Sequence, residues 1–164
     1  MTESMRNSLH SSVVKKALRR FAERLKSEGS ILDYDFRSFK FPLEDLRPFV
    51  IKPDLAITLR NRKKVVVEVV NPRDPKRFLG ELTYISLLYY YKKIIASLVF
   101  VLPCKGEYYK RLEQRVVFGG MFRTFVFAPL AKPENLSMMT SWSKDEEASY
   151  GHLKAFVQDA ERFV

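Results

Sequence analysis

The sequence predicts an α/β fold with a central mixed β-sheet flanked by helices, and three observations lead there. Strand-like runs at residues 31–36, 49–59 and 64–70 come early and close together, whereas later ones are separated by helix-like stretches. Hairpin-linked strands followed by crossover helices build a mixed sheet. The run VVVEVV at residues 65–70 is apolar on both faces apart from Glu68, as a strand in the middle of a sheet must be.

The elements follow in order. Residues 13–28 place Val13, Val14, Ala17, Leu18, Phe21, Ala22 and Leu25 at helical i, i+3/i+4 spacing. Ser11 and Ser12 are positioned to cap that helix and Gly29 to end it. Its outer face carries Lys15, Lys16, Arg19, Arg20, Arg24 and Lys26. ILDYDF at 31–36 alternates apolar and polar residues, as a half-buried strand does. A loop with Pro42 and Pro48 precedes the strand at 49–59, and Arg60-Asn61-Arg62-Lys63 turns the chain into the strand at 64–70. Asp74 and Pro75 open a helix over 75–93 that is apolar most of the way round. Such a helix is covered on two sides or forms an oligomer interface. A buried strand at 97–102, a charged helix at 107–118, a strand at 123–128 and a polar linker at 131–141 come next. Ser143-Lys144-Asp145-Glu146 is a capping box for a last helix reaching about Phe163. The order is αβββαβαβα.

At 164 residues the chain has the size of one domain, with residues 1–130 as its core and 131–164 as a linker and helix packed on it. Its 29 Lys and Arg against 19 Asp and Glu give +10, which suits a polyanionic partner, above all nucleic acid. The 34 residues from 131 onward are mildly acidic, so the positive charge sits in the core. The single cysteine, Cys104, excludes an internal disulfide framework and a Cys-based zinc site. The longest nearly uncharged runs, 82–91 and 94–103, fall short of the roughly 18–20 residues a membrane span requires. MTESMRNSLHSS has no apolar signal region, so an intracellular, cytoplasmic protein is expected.

Chemistry concentrates between Ile51 and Pro72. Pro53-Asp54 opens one strand and Glu68 lies near the end of the next, at matching distances from the Arg60–Lys63 turn. Two carboxylates then project from adjacent strands at one end of the sheet. Paired carboxylates repel unless something positive lies between them, and a divalent cation is the simplest occupant. The alternative is structural: Asp54 ends a turn and Glu68 pairs with Arg73 or Arg77.

Pro-Asp, thirteen intervening residues and then Glu-Val-Val resembles the PD-(D/E)XK nuclease motif in all but its last position. The order of elements over residues 13–102 is similar to the core of that restriction-endonuclease-like superfamily. The strand at 123–128 adds a likeness to its archaeal Holliday-junction-resolvase and RecB-like branches. The resemblance implies Asp54, Glu68 and the carbonyl of Val69 as metal ligands, with Glu23 of the first helix assisting. Glu23 is preferred to Glu28, which adjoins the helix-ending Gly29. It further implies an endonuclease dependent on Mg²⁺ or Mn²⁺ and acting on DNA. Val70 stands where the family has its lysine; Lys52, Lys76 and Arg77 are the candidates to replace it, and Asn71 is a polar alternative. That departure keeps open a nuclease fold that binds nucleic acid without cutting, as an accessory or regulatory subunit. Lys15, Lys16, Arg19 and Arg20, or Lys76 and Arg77, are the expected phosphate contacts. The apolar helix from Leu79 to Tyr91 is the expected surface of a homodimer. His10 and His152 have no ligand-spaced partners and read as surface histidines, and Cys104 as a buried thiol.

Overall fold

The computed structural model describes residues 3–37, 39–41, 49–70, 80, 94–102, 138–143 and 145–162. They form helix α1 (Glu3–Ser27), strands β1 (Asp33–Asp35), β2 (Phe39–Phe41), β3 (Phe49–Ile51), β4 (Leu55–Thr58), β5 (Lys64–Val70), β6 (Ala96–Val101) and β7 (Met138–Ser141), and helix α2 (Glu146–Glu161). Five strands make one mixed sheet in the order β1-β4-β5-β6-β7, and β2 and β3 pair in a sheet of their own. β4 runs antiparallel to β1 and β5, whereas β6 is parallel to both β5 and β7. The α/β class and the mixed sheet are thus as the sequence predicts. The expected helix at 107–118 and strand at 123–128 lie outside the described residues, as do Asn71, Lys76, Arg77 and Cys104. Of the expected helix at 75–93, which carries the proposed dimer surface from Leu79 to Tyr91, only Gly80 is described, and it is helical.

Alternation along the central strands sorts their side chains. Leu55, Ile57, Leu59, Val65, Val67, Leu98 and Phe100 join one hydrophobic core with the apolar stripe of α1 and with Tyr150, Leu153, Phe156, Val157 and Ala160 of α2. Both helices therefore cover the same face. Trp142 fills the junction, its ring 5.9 Å from that of Phe21 and 5.1 Å from that of Phe100. Ala56, Val66, Val70 and Val99 occupy the opposite face and are buried as well. A strand buried on both faces is apolar throughout, which is why VVVEVV reads as it does.

Several boundaries differ from the sequence expectation, each for a local reason. α1 begins at Glu3, so Ser11 and Ser12 lie inside it and not at its start. Its end is as expected: Gly29 takes φ 71°, and Ser30 and Gly29 donate to the carbonyls of Leu25 and Lys26 at 2.9 and 3.0 Å. These are the two bonds that close a helix on a left-handed glycine. The expected strand at 49–59 divides into β3 and β4, because Pro53 has no N–H for the ladder. The loop with Pro42 and Pro48 is preceded by an unforeseen strand, β2, which pairs with β3. In the β4–β5 turn Arg62 takes the left-handed conformation, and Asn61 accepts the Lys63 N–H through its side chain at 2.9 Å. The expected linker at 131–141 contains β7, a strand of the main sheet. α2 is capped by Asp145, which accepts the Glu147 N–H at 3.1 Å, and not by Ser143, whose hydroxyl accepts the Asp145 N–H.

α1 and α2 are fastened at Glu28. Its carboxylate accepts from Lys154 Nζ at 2.7 Å, from the Tyr150 hydroxyl at 2.9 Å and from Arg24 Nε at 3.1 Å. The Arg24 guanidinium lies over the Tyr150 ring and reaches Glu147 at 2.8 Å. Lys154 foremost, then Tyr150, holds the Glu28 carboxyl down to about 2 from an ordinary 4.5. A carboxyl with a depressed folded-state pKa contributes stability that is present above its unfolded value and lost as pH falls through its folded one. Wild-type protein is expected to lose thermal stability between about pH 4.5 and 2, and Glu28→Gln to show a lower Tm at pH 7 and a flatter profile across that window. Coincident melting profiles for the two proteins would show that Glu28 fastens nothing. Among the described residues, no helix is long and apolar enough to cross a membrane.

Candidate nucleic-acid and metal site

The site is built where the β4–β5 ladder runs out. The last paired residues are Leu55 and Val67, and one further step of that antiparallel register sets Asp54 opposite Glu68. Such cross-strand neighbours have Cβ atoms about 4.5–5.5 Å apart. Glu68 belongs to the face opposite the helices by the alternation that puts Val67 against α1, whereas Asp54 sits at the bend that precedes β4. Both are half-buried.

The β5 backbone supplies a third group. Ile95 donates to the Lys64 carbonyl at 2.8 Å and Leu102 to that of Val70 at 3.0 Å, so even-numbered residues of β5 turn their peptide groups towards β6. Odd-numbered residues turn theirs towards β4. The Val69 N–H accordingly reaches the Asp54 carboxylate, donating to Oδ2 at 2.8 Å, and the Val69 carbonyl lies on that same flank. Pro53 has interrupted the ladder, and the Asp54 side chain takes the place of the missing backbone acceptor. This bond fixes the carboxylate. Two carboxylates and one carbonyl at a strand end are a donor set of the kind Mg²⁺ uses, since that ion keeps several waters.

Beside Asp54 opens a cleft of about 500 Å³ lined by Lys15, Lys16, Arg19, Phe36, Lys52, Pro53 and Asp54. Positions 15, 16 and 19 follow one face of α1, and Phe36 stands just beyond β1, whose pairing with β4 brings it there. Arg19 lies over the Phe36 ring at 5.1 Å from its centre. The charge on this side of α1 is left over. Further along the helix Arg20 pairs with Glu146 at 2.6 Å, Arg24 with Glu28 and Glu147, and Lys26 with Asp33 at 2.8 Å. Among the described residues, Lys15, Lys16, Arg19 and Lys52 form no ion pair. Among the described residues, the four cations and one carboxylate that line this cleft leave an excess of positive charge, an arrangement suited to phosphate groups.

The structure thus groups Asp54, Glu68 and Val69 at one strand end, and gathers Lys52, Lys15, Lys16 and Arg19 beside Asp54. It separates two other expected residues. Arg20 faces α2, as its bond to Glu146 shows. Glu23 is exposed on α1 a turn beyond Arg19, and it does not complete a cluster with Asp54 and Glu68. Among the described residues, no three or more His, Cys, Asp or Glu side chains are grouped so as to hold a metal ion. Glu23 shares the face of the cleft cations but lies one turn beyond Arg19 and two beyond Lys15 and Lys16, past the residues that line the cleft. Phe36 and Pro53 were not expected to line the site. Phe36, the last residue of the alternating run at 31–36, becomes visible only once β1 is known to pair with β4.

Val70 shares the face of Glu68 and is 1% exposed. Position 70 is therefore sealed hydrophobic core, whereas Lys52 lies on the cleft beside Asp54. No protein-family model, curated protein or solved structure matches the chain.

Proposed function

We propose that the protein is a restriction-endonuclease-like, divalent-cation-dependent DNA endonuclease that draws the DNA backbone into the cleft beside Asp54. The observation that carries this reading is the set of four cations, without an ion pair among the described residues, that line a cleft with Asp54, whose cross-strand neighbour is Glu68. Lys15, Lys16 and Arg19 neutralise phosphates on either side of the scissile bond. Asp54, Glu68 and the Val69 carbonyl would hold Mg²⁺ or Mn²⁺, which when bound supplies charge stabilisation and a readily deprotonated water. The Val69 N–H keeps the Asp54 carboxylate oriented for that purpose. Lys52 takes the part of the motif lysine, placing an ammonium group where negative charge develops on the phosphate.

A second reading is favoured by one observation, the burial of Val70 where the motif lysine would act. In it the nuclease fold binds nucleic acid without cutting, as an accessory or regulatory subunit. Calorimetric titration with Mn²⁺, run beside a cleavage assay on linear and branched DNA, separates the two. Saturable Mn²⁺ binding with cleavage supports the endonuclease. DNA binding with neither metal uptake nor cleavage at millimolar Mn²⁺ supports the accessory protein.

A further inference from the structure

We propose that the ribbon β2–β3 is a second nucleic-acid contact, entering the major groove of a DNA duplex whose phosphates lie in the cleft. This rests on the cleft reading above and adds the class of substrate, a B-form duplex.

The ribbon stands apart from the main sheet, each of its strands pairing with the other. Both of its roots are cleft residues. Phe36 lies shortly before β2, and Lys52 follows directly on β3. The chain therefore leaves one wall of the cleft, forms the ribbon and returns to another wall. The departure is shaped by Asp35, whose carboxylate accepts the Arg37 N–H at 2.9 Å. Arg37 is exposed, and among the described residues it forms no ion pair.

Val50 supplies the second line of argument. It is 50% exposed in the middle of β3, an uncovered β-branched side chain. In an extended chain residues two apart share a side, so Val50 is placed on the side of Lys52, the cleft cation. Its register partner across the ribbon is Lys40. An exposed apolar residue on a ribbon whose roots bear Arg37 and Lys52 suits base edges flanked by phosphates. A two-stranded ribbon fits the B-DNA major groove, where an apolar side chain can meet the thymine methyl group. The major groove of an RNA duplex is too narrow to admit one.

The test is fluorescence anisotropy with a DNA duplex of about two helical turns, an RNA duplex of matching sequence and a single DNA strand. Wild-type protein is expected to prefer the DNA duplex over the RNA duplex. Val50→Glu and Lys40→Glu are each expected to weaken DNA-duplex binding about tenfold, the equivalent of one good groove contact. Their binding to the RNA duplex and the single strand should stay as in wild type, and unchanged melting temperatures check that both variants fold. If both bind the DNA duplex like wild type while Lys16→Ala weakens it, the ribbon inference fails and the cleft reading survives. If wild type binds none of the three nucleic acids, both fail.

Discussion

Replacing Asp54 by asparagine, or Glu68 by alanine, is expected to abolish divalent-cation binding and lower the rate of DNA cleavage by about 100-fold or more. The scale follows from metal chemistry: losing a residue that merely orients a ligand costs roughly 10–100-fold, so losing a ligand itself lies at or beyond the upper end. Asparagine is the better test at position 54 because it retains an acceptor for the Val69 N–H while removing the charge. Alanine there would also leave that partly buried N–H without its partner, and a folding defect would mimic a catalytic one. Cation binding has a second readout in stability. At about 100 times its dissociation constant, Mn²⁺ should stabilise the wild-type protein by about 2.7 kcal/mol, and neither variant at all. Lys52→Ala should keep that stabilisation and lose cleavage, because an ammonium acting on the phosphate is not needed to hold the ion. If Asp54→Asn binds Mn²⁺ like wild type, the ion lies elsewhere and the endonuclease reading fails.

The β5 strand was fully legible in the sequence, and the reason is physical. Buried on both faces, it had to be apolar in every direction, which made Glu68 conspicuous. The antiparallel β4–β5 register was legible for a related reason, since a short turn fixes register and register fixes which side chains are neighbours. The division of residues 49–59 into two strands was less so, although Pro53 marks the break. What the pattern concealed is that β3 takes a partner, β2, from residues that read as loop. The end of β7 was hidden in the same way, because Met138–Ser141 alternates no more clearly than a polar linker does. Around the site, the residue types on α1 were legible but not their allocation. The same basic face that marks an exposed helix divides into cations that fasten α2, such as Arg20 and Arg24, and cations that remain for a ligand, such as Lys15 and Lys16. Sequence spacing cannot make that division, because the acids concerned, Glu146 and Glu147, lie more than 120 residues away. Glu23 shares the face of those cations but follows Arg19 by a full turn, outside the residues that line the cleft.

That division of charge makes the strongest prediction about binding. The triple variant Lys15→Ala/Lys16→Ala/Arg19→Ala is expected to bind DNA more weakly and with a shallower dependence on salt. Each phosphate neutralised contributes about 0.9 to the slope of log affinity against log salt. Losing three such contacts should flatten the slope by about 2.7, so that wild-type affinity falls about 40-fold more than the variant's between roughly 50 and 200 mM salt. Arg20→Ala serves as the comparison, because its guanidinium is committed to Glu146. It should leave the slope as in wild type, while any effect on stability stays small, as for other exposed ion pairs. An equal loss of slope in Arg20→Ala would mean that the whole basic face of α1, and not the cleft, meets the backbone. An unchanged slope in the triple variant would remove the cleft from the binding surface altogether. The cations are exposed, so their replacement leaves the packed stripe of Leu18, Phe21 and Leu25 intact, and a changed slope then reports lost phosphate contacts and not a lost fold.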